Sequence, residues 1–163
     1  PRVTVRADGT YAWAFLDRVN GARYGSANAD ATNFSESMIK SWIAADFLRR
    51  ADEQNQDPPP YRMDKLVRMI RDSSNGAAES IWIANGKDAG IRRLIDLCRL
   101  AHTRVFPDMG SQTMISASDA VRMGECVANG TAHPHEPTER VSRSALRDMT
   151  AFTLALLAGC RRS

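Results

Sequence analysis

Four residues carry the chemistry this chain offers. Ser37 and Lys40 stand three positions apart in Ser35-Glu36-Ser37-Met38-Ile39-Lys40-Ser41-Trp42. On a helix that spacing places both side chains on one face. A serine hydroxyl is a poor nucleophile until a base takes its proton. A lysine can be that base when burial disfavours its charged form. Ser73 and Asn75, in Asp72-Ser73-Ser74-Asn75-Gly76, add a hydroxyl able to relay a proton to a leaving amine and an amide able to hold Lys40 or a substrate amide. A helix starting at Ser37 supplies backbone N–H groups and the positive end of a dipole, so the Ser37 N–H can serve in an oxyanion hole. Ser37 and Lys40 are therefore the candidate nucleophile and base.

Each of these residues also has a plain structural use. Ser37 can cap a helix. Lys40 can lay its stem along apolar neighbours and keep its charge in water. Ser73-Ser74-Asn75 can simply break a helix, as such residues do in turns. Taken singly, the structural use is as good an account as the chemical one.

The elements that must position these residues follow from the pattern. Residues 3–6 and 11–16 are rich in β-formers, with Asp8-Gly9 between them, which predicts a hairpin. A second turn, Asn20-Gly21, follows, and Tyr24-Gly25-Ser26 extends the second strand or begins a third. Residues 26–32 read as a loop. The first helix then starts near residue 35, capped by Ser35 or Glu36, and runs to about residue 51. It buries Met38, Ile39, Trp42, Ile43, Phe47 and Leu48. Three consecutive prolines, Pro58, Pro59 and Pro60, separate it from the next helix. That helix, over residues 61–71, faces inward with Met63, Leu66, Val67 and Ile70. Helices are also predicted over 77–85 and over 88–101, the latter with Ile91, Leu94, Ile95, Leu97 and Leu100 inward. After a loop over 103–113 with room for a short extended piece, Ser116-Ala117-Ser118-Asp119 signals the cap of a helix to Val127, closed by Asn129-Gly130. A last helix is expected over 139–158. A hairpin followed by six short helices is α+β: a small N-terminal antiparallel sheet packed on a helical cluster, in one domain over residues 1–163.

Composition narrows the classes. The 163 residues are 43% hydrophobic and 25% charged, enough for one ordinary core. The formal charge of +3 comes from scattered arginines, and no aromatic residues are interleaved with basic ones, so nucleic acid is not an expected partner. Cys98, Cys126 and Cys160 show no CxxC spacing and the three histidines sit in polar surroundings, so no metal is expected. An odd cysteine count leaves at least one thiol unpaired within the chain, and Cys98 reads as a small buried hydrophobe. The longest apolar run, residues 151–160, is too short to span a bilayer. It ends in Leu-Leu-Ala-Gly-Cys, like a lipoprotein cleavage box but at the wrong end of the chain, and is expected to be a buried helix or strand.

The two motifs together resemble a known family. Ser37-Met38-Ile39-Lys40 resembles the S-x-x-K motif of the penicillin-recognising serine enzymes, and Ser73-Ser74-Asn75 resembles their S-x-N motif in a loop between two helices. Residues 37–50 and 72–79 are similar in wording to the actinobacterial branch of class A β-lactamase-related proteins. Residues 113–120 resemble the capped helix after that family's omega loop. The resemblance covers residues 3–130. It implies a β-lactamase-like or transpeptidase-like fold and acylation of Ser37 by a β-lactam or a D-alanyl peptide. Lys40 would be the base, Ser73 the proton relay and Asn75 a substrate contact, with no cofactor. It also implies an extracellular or cell-envelope location.

Two departures qualify that expectation. Lysine occurs only at 40, 65 and 87, and none is followed by Thr-Gly or Ser-Gly, so the family's third motif, K-T-G, is absent. The fold is therefore expected to be incomplete, with an open sheet edge. Either the chain is truncated or rearranged, or a second chain supplies the missing strands, or residues 151–160 replace some of the lost packing. An oligomer or partner that covers the edge is the expectation. Between Leu100 and Ser116 the only carboxylate is Asp108, in Phe106-Pro107-Asp108-Met109-Gly110. The glutamate that lets the family's β-lactamases hydrolyse the acyl-enzyme thus has no evident counterpart, and deacylation is expected to be slow or absent. The alternative is a non-catalytic binding or interaction protein on the same scaffold. A third is an unrelated helical protein whose motifs are accidental.

Overall fold

The computed structural model describes residues 9–130. The predicted first strand over 3–6, the last helix over 139–158, His133, His135 and Cys160 lie outside them. The described part is α+β, with five α-helices and two separate two-stranded antiparallel sheets.

The first sheet is a hairpin of β1 (Ala14–Leu16) and β2 (Arg23–Gly25), with Phe15 opposite Tyr24. Its turn is written in side chains that bond their own backbone. Asp17 Oδ1 accepts from Val19 N at 2.8 Å and Asn20 Oδ1 accepts from Ala22 N at 2.8 Å. Gly21 takes φ +75°, which a side chain would resist. The Asn20-Gly21 signal is thus the one that closes the described hairpin.

The second sheet pairs β3 (Thr32–Phe34) with β4 (Met114–Ser116), Asn33 facing Ile115. The sequence pattern reads residues 32–34 as the run into a helix, ends a loop at 113 and marks a cap at 116, with no strand between. Three-residue strands whose partners lie far apart in the chain leave no local period to read. This ladder matters because each strand runs straight into a functional element. β3 delivers the chain to Ser35, whose N–H donates to Thr113 O at 2.8 Å and whose hydroxyl donates to Ser111 O at 3.3 Å. Ser35 therefore clamps the start of the first helix to residues 111–113, which lead into β4. It is not the side-chain cap expected of it, and neither it nor Glu36 caps through its side chain.

A 3-10 turn, Glu36–Met38, leads into α1 (Ile39–Glu53). α1 is the centre of the molecule: α2 (Pro60–Arg71), α3 (Asn75–Ala84), α4 (Asp88–Cys98) and α5 (Ala117–Ala128) all pack on it. Ile39, Trp42, Ile43 and Leu48 are buried, with Met38 and Phe47 packed at the margin. Each such side chain contributes about 1.5–3 kcal/mol on leaving water. The polar residues on this helix are buried too. Asp46 is fully enclosed and accepts from Arg49 at 2.8 Å and from Arg93 Nε at 3.0 Å, so its charge is paired across α1 and α4. Trp42 Nε1 donates to Gly90 O at 2.9 Å and Asn85 Nδ2 donates to Ile43 O at 2.9 Å.

Three details correct the sequence reading. Val67 and Leu97, expected inward, are exposed; α2 instead buries Leu66, Met69 and Ile70, and α4 buries Ile91 and Leu94. Cys98 is not a free buried thiol but is joined to Cys126, tying the end of α4 to α5. The start of α5 came out as read, with the Ser116 hydroxyl accepting from Asp119 N at 3.1 Å. Asp119 in turn accepts from His102 N at 2.7 Å and from the Thr103 hydroxyl at 2.8 Å, so one buried carboxylate holds the 101–103 turn onto α5. No helix among the described residues is long and apolar enough to cross a membrane.

Candidate active site

Ser37, Lys40, Ser73 and Asn75 meet at one point. Ser37 sits in the 3-10 turn and Lys40 in the first turn of α1, with Lys40 Nζ 3.0 Å from Ser37 Oγ. The loop from α2 to α3 crosses this point and brings Ser73 and Asn75. Lys40 Nζ lies 2.6 Å from Ser73 O, 2.9 Å from Ser73 Oγ and 2.7 Å from Asn75 Oδ1. Ser73 Oγ lies 2.9 Å from Ser37 Oγ.

The residue between them does the structural work. The Ser74 hydroxyl caps α3, accepting from Ala77 N at 3.4 Å. The helix-breaking use of this tripeptide thus falls on Ser74 and leaves Ser73 and Asn75 turned towards Lys40. Ser73 takes φ +51° and Glu36, just before Ser37, takes φ +48°. A residue with a side chain held there costs on the order of 1–2 kcal/mol, and such strain gathers at functional sites. At Ser73 it lets one residue present both its carbonyl and its hydroxyl to the same nitrogen.

Lys40 is only 4% exposed. Its pKa is lowered, first because burial disfavours the ammonium; the nearby Glu36 carboxylate opposes part of that shift. Counting donors shows what the geometry permits. An ammonium has three N–H groups and no acceptor, yet four oxygens surround Nζ. The Ser73 carbonyl and the Asn75 amide oxygen can only accept, and they are the two closest. The remaining position faces two hydroxyls. An ammonium donates to three of the four; a neutral amine also serves three, with two N–H groups on Ser73 O and Asn75 Oδ1 and its lone pair facing the Ser37 hydroxyl, while the Ser73 hydroxyl donates to Ser37 Oγ. The contact between the Ser37 hydroxyl and that lone pair is the one along which a base would take the nucleophile's proton.

A cavity of about 360 Å³ opens beside Ser37, bounded by the start of α1, by α3 and by residues 108–111. Asp108 lines it, at φ +56° and 3.2 Å from Lys87 Nζ. Glu36, Glu79 and Trp82 line it as well. Glu79 and Trp82 were not singled out from sequence. The available signal for Glu79 was its place one helical turn after Asn75 on the same face of α3. Among the described residues no His, Cys, Asp and Glu group could hold a metal ion.

No protein-family model matches the chain, and neither a curated protein nor a solved structure matches it.

Proposed function

We propose that the protein is a penicillin-recognising type of serine acyl-transfer domain in which Ser37 is acylated and then released slowly or not at all. The observation that carries this reading is the closed contact among Ser37 Oγ, Lys40 Nζ and Ser73 Oγ, each within 3.0 Å of the other two. Residues from two distant stretches that meet in hydrogen-bonding geometry around a buried amine argue against accidental motifs. In the step proposed, Ser37 Oγ bonds to the carbonyl carbon of a β-lactam or a D-alanyl peptide while its proton passes to Lys40 Nζ. The carbon–nitrogen bond then breaks as that proton is returned through Ser73 Oγ to the leaving nitrogen. Asn75 holds Lys40 in register and flanks the cavity that would take the acyl group.

Slow release is supported by the state of Asp108, which is tied to Lys87 beside the cavity. The disulfide between Cys98 and Cys126 supports an extracellular or envelope location, since such bonds persist in oxidising surroundings. The second chain expected across the sheet edge belongs to the same reading and is supported by the exposed Phe15 and Tyr24 on β1 and β2. Light scattering that finds only monomer contradicts that part.

A non-catalytic binding protein on this scaffold is favoured by one observation. Among the described residues Lys40 is the only basic side chain lining the cavity, so nothing there replaces the K-T-G lysine. Incubation with a labelled penicillin separates the two. An adduct on Ser37 that is absent from S37A supports acyl transfer, and an unmodified protein supports binding alone.

A further inference from the structure

We infer that the cavity beside Ser37 selects acyl donors whose side group carries an ammonium over those whose side group carries a carboxylate. This names a substrate class for the site and rests on the acyl-transfer reading above. Three carboxylates, Glu36, Glu79 and Asp108, line the cavity. Asp108 has a cation, Lys87 Nζ at 3.2 Å. Among the described residues Glu36 and Glu79 have no ion pair and no side-chain hydrogen bond. The one basic group in the lining, Lys40, is buried and surrounded by four oxygens. A carboxylate entering here meets like charge with no free cation to answer it, whereas an ammonium meets two unpaired carboxylates.

Trp82 makes the same selection by a different route. It is 8% exposed and lines the cavity. Its ring already has a cation, Lys87 Nζ, 5.9 Å from the centroid, within the range at which an aromatic face attracts positive charge. An aromatic wall with carboxylates beside it is the chemistry that recognises an ammonium. Glu79 stands one turn beyond Asn75 on α3. A group extending from a carbonyl seated at Ser37, past Asn75, therefore runs towards Glu79 and Trp82.

The experiment uses three penicillins that share one nucleus and one phenylacetyl side chain: benzylpenicillin, its α-amino derivative and its α-carboxy derivative. The readout is the rate of adduct formation at Ser37, followed by mass spectrometry at low salt and at a pH below the amine's pKa. The inference predicts amino fastest and carboxy slowest, with a span of about tenfold, the low end of what a cleft lined by one sign of charge achieves. E79Q should narrow that span, each rate being taken relative to benzylpenicillin in the same variant. Added salt should narrow it too. Equal rates, or the carboxy derivative fastest, overturn the inference and leave Ser37 acylation standing. No adduct from any of the three overturns the acyl-transfer reading, and this inference with it.

Discussion

Ser73 Oγ stands 2.9 Å from Ser37 Oγ, although one belongs to the loop before α3 and the other to the turn before α1. A left-handed backbone at Ser73 and a capping bond at its neighbour Ser74 place it there. Lys40 Nζ closes the triangle.

Lys40→Met tests whether the buried amine is kept for stability. Its partners are neutral oxygens, so its removal strands no opposite charge. The Ser73 carbonyl and the Asn75 amide oxygen lose a donor, so we expect the unfolding free energy to fall by no more than about 1–3 kcal/mol, while acylation of Ser37 falls about 10²–10⁴-fold, the usual worth of a positioned base. Urea unfolding and adduct kinetics on the same sample check both. A large loss of stability with little loss of rate would make Lys40 a structural residue.

Glu36→Gln tests the electrostatics. Burial lowers the pKa of Lys40 and Glu36 holds it partly up; removing that carboxylate lowers it further. More of the lysine is then free base at neutral pH, so the ascending limb of the acylation rate against pH should move to lower pH. A shift to higher pH contradicts the assignment. The same lowering has a stability counterpart. Between the folded-state value and the ordinary lysine value the native protein binds fewer protons than the unfolded chain, so the Lys40 contribution to stability rises with pH across that window.

How much of this was legible in the sequence differs between the helices and the ladder that aligns them. The Ser116 cap, the proline stop before α2 and the burial of Ile39, Trp42, Ile43 and Leu48 were written locally, in residue type and period. The β3–β4 pairing was not, because its two three-residue strands lie about eighty residues apart in the chain and carry no local period. Val67 and Leu97 fit an inward stripe by spacing, yet their faces find no neighbour in the described fold. The four site residues were legible as two motifs. Their meeting required α2 to turn back on α1, and no local pattern states where the Ser73 carbonyl points. Glu79 and Trp82 stood in plain view on α3, but only the cavity shows that they share a wall with Ser37.

Ser73→Gly sets stability against function. Glycine accepts φ +51° freely, so relief of strain should raise stability by up to about 1 kcal/mol, less what is lost with the hydroxyl bonds. The proton relay goes with the hydroxyl, and acylation should slow at least tenfold, towards the lower end of general-acid effects. Thermal unfolding and adduct kinetics read the two effects apart.

The Cys98–Cys126 disulfide spans 28 residues of sequence. Closing a loop of that size restricts the unfolded chain by about 3–4 kcal/mol. Unfolding in urea with and without reductant, or of C98S/C126S, should show a loss of that order. The site lies on α1 and α3, away from both cysteines, so the reduced protein should keep its acylation rate while folded.

The most direct test of the central claim is peptide mapping after exposure to a labelled penicillin. The geometry predicts a single adduct whose mass equals protein plus intact penicillin, located on Ser37, persistent over hours, and absent from S37A. An unmodified protein, or an adduct that survives Ser37→Ala, would contradict it.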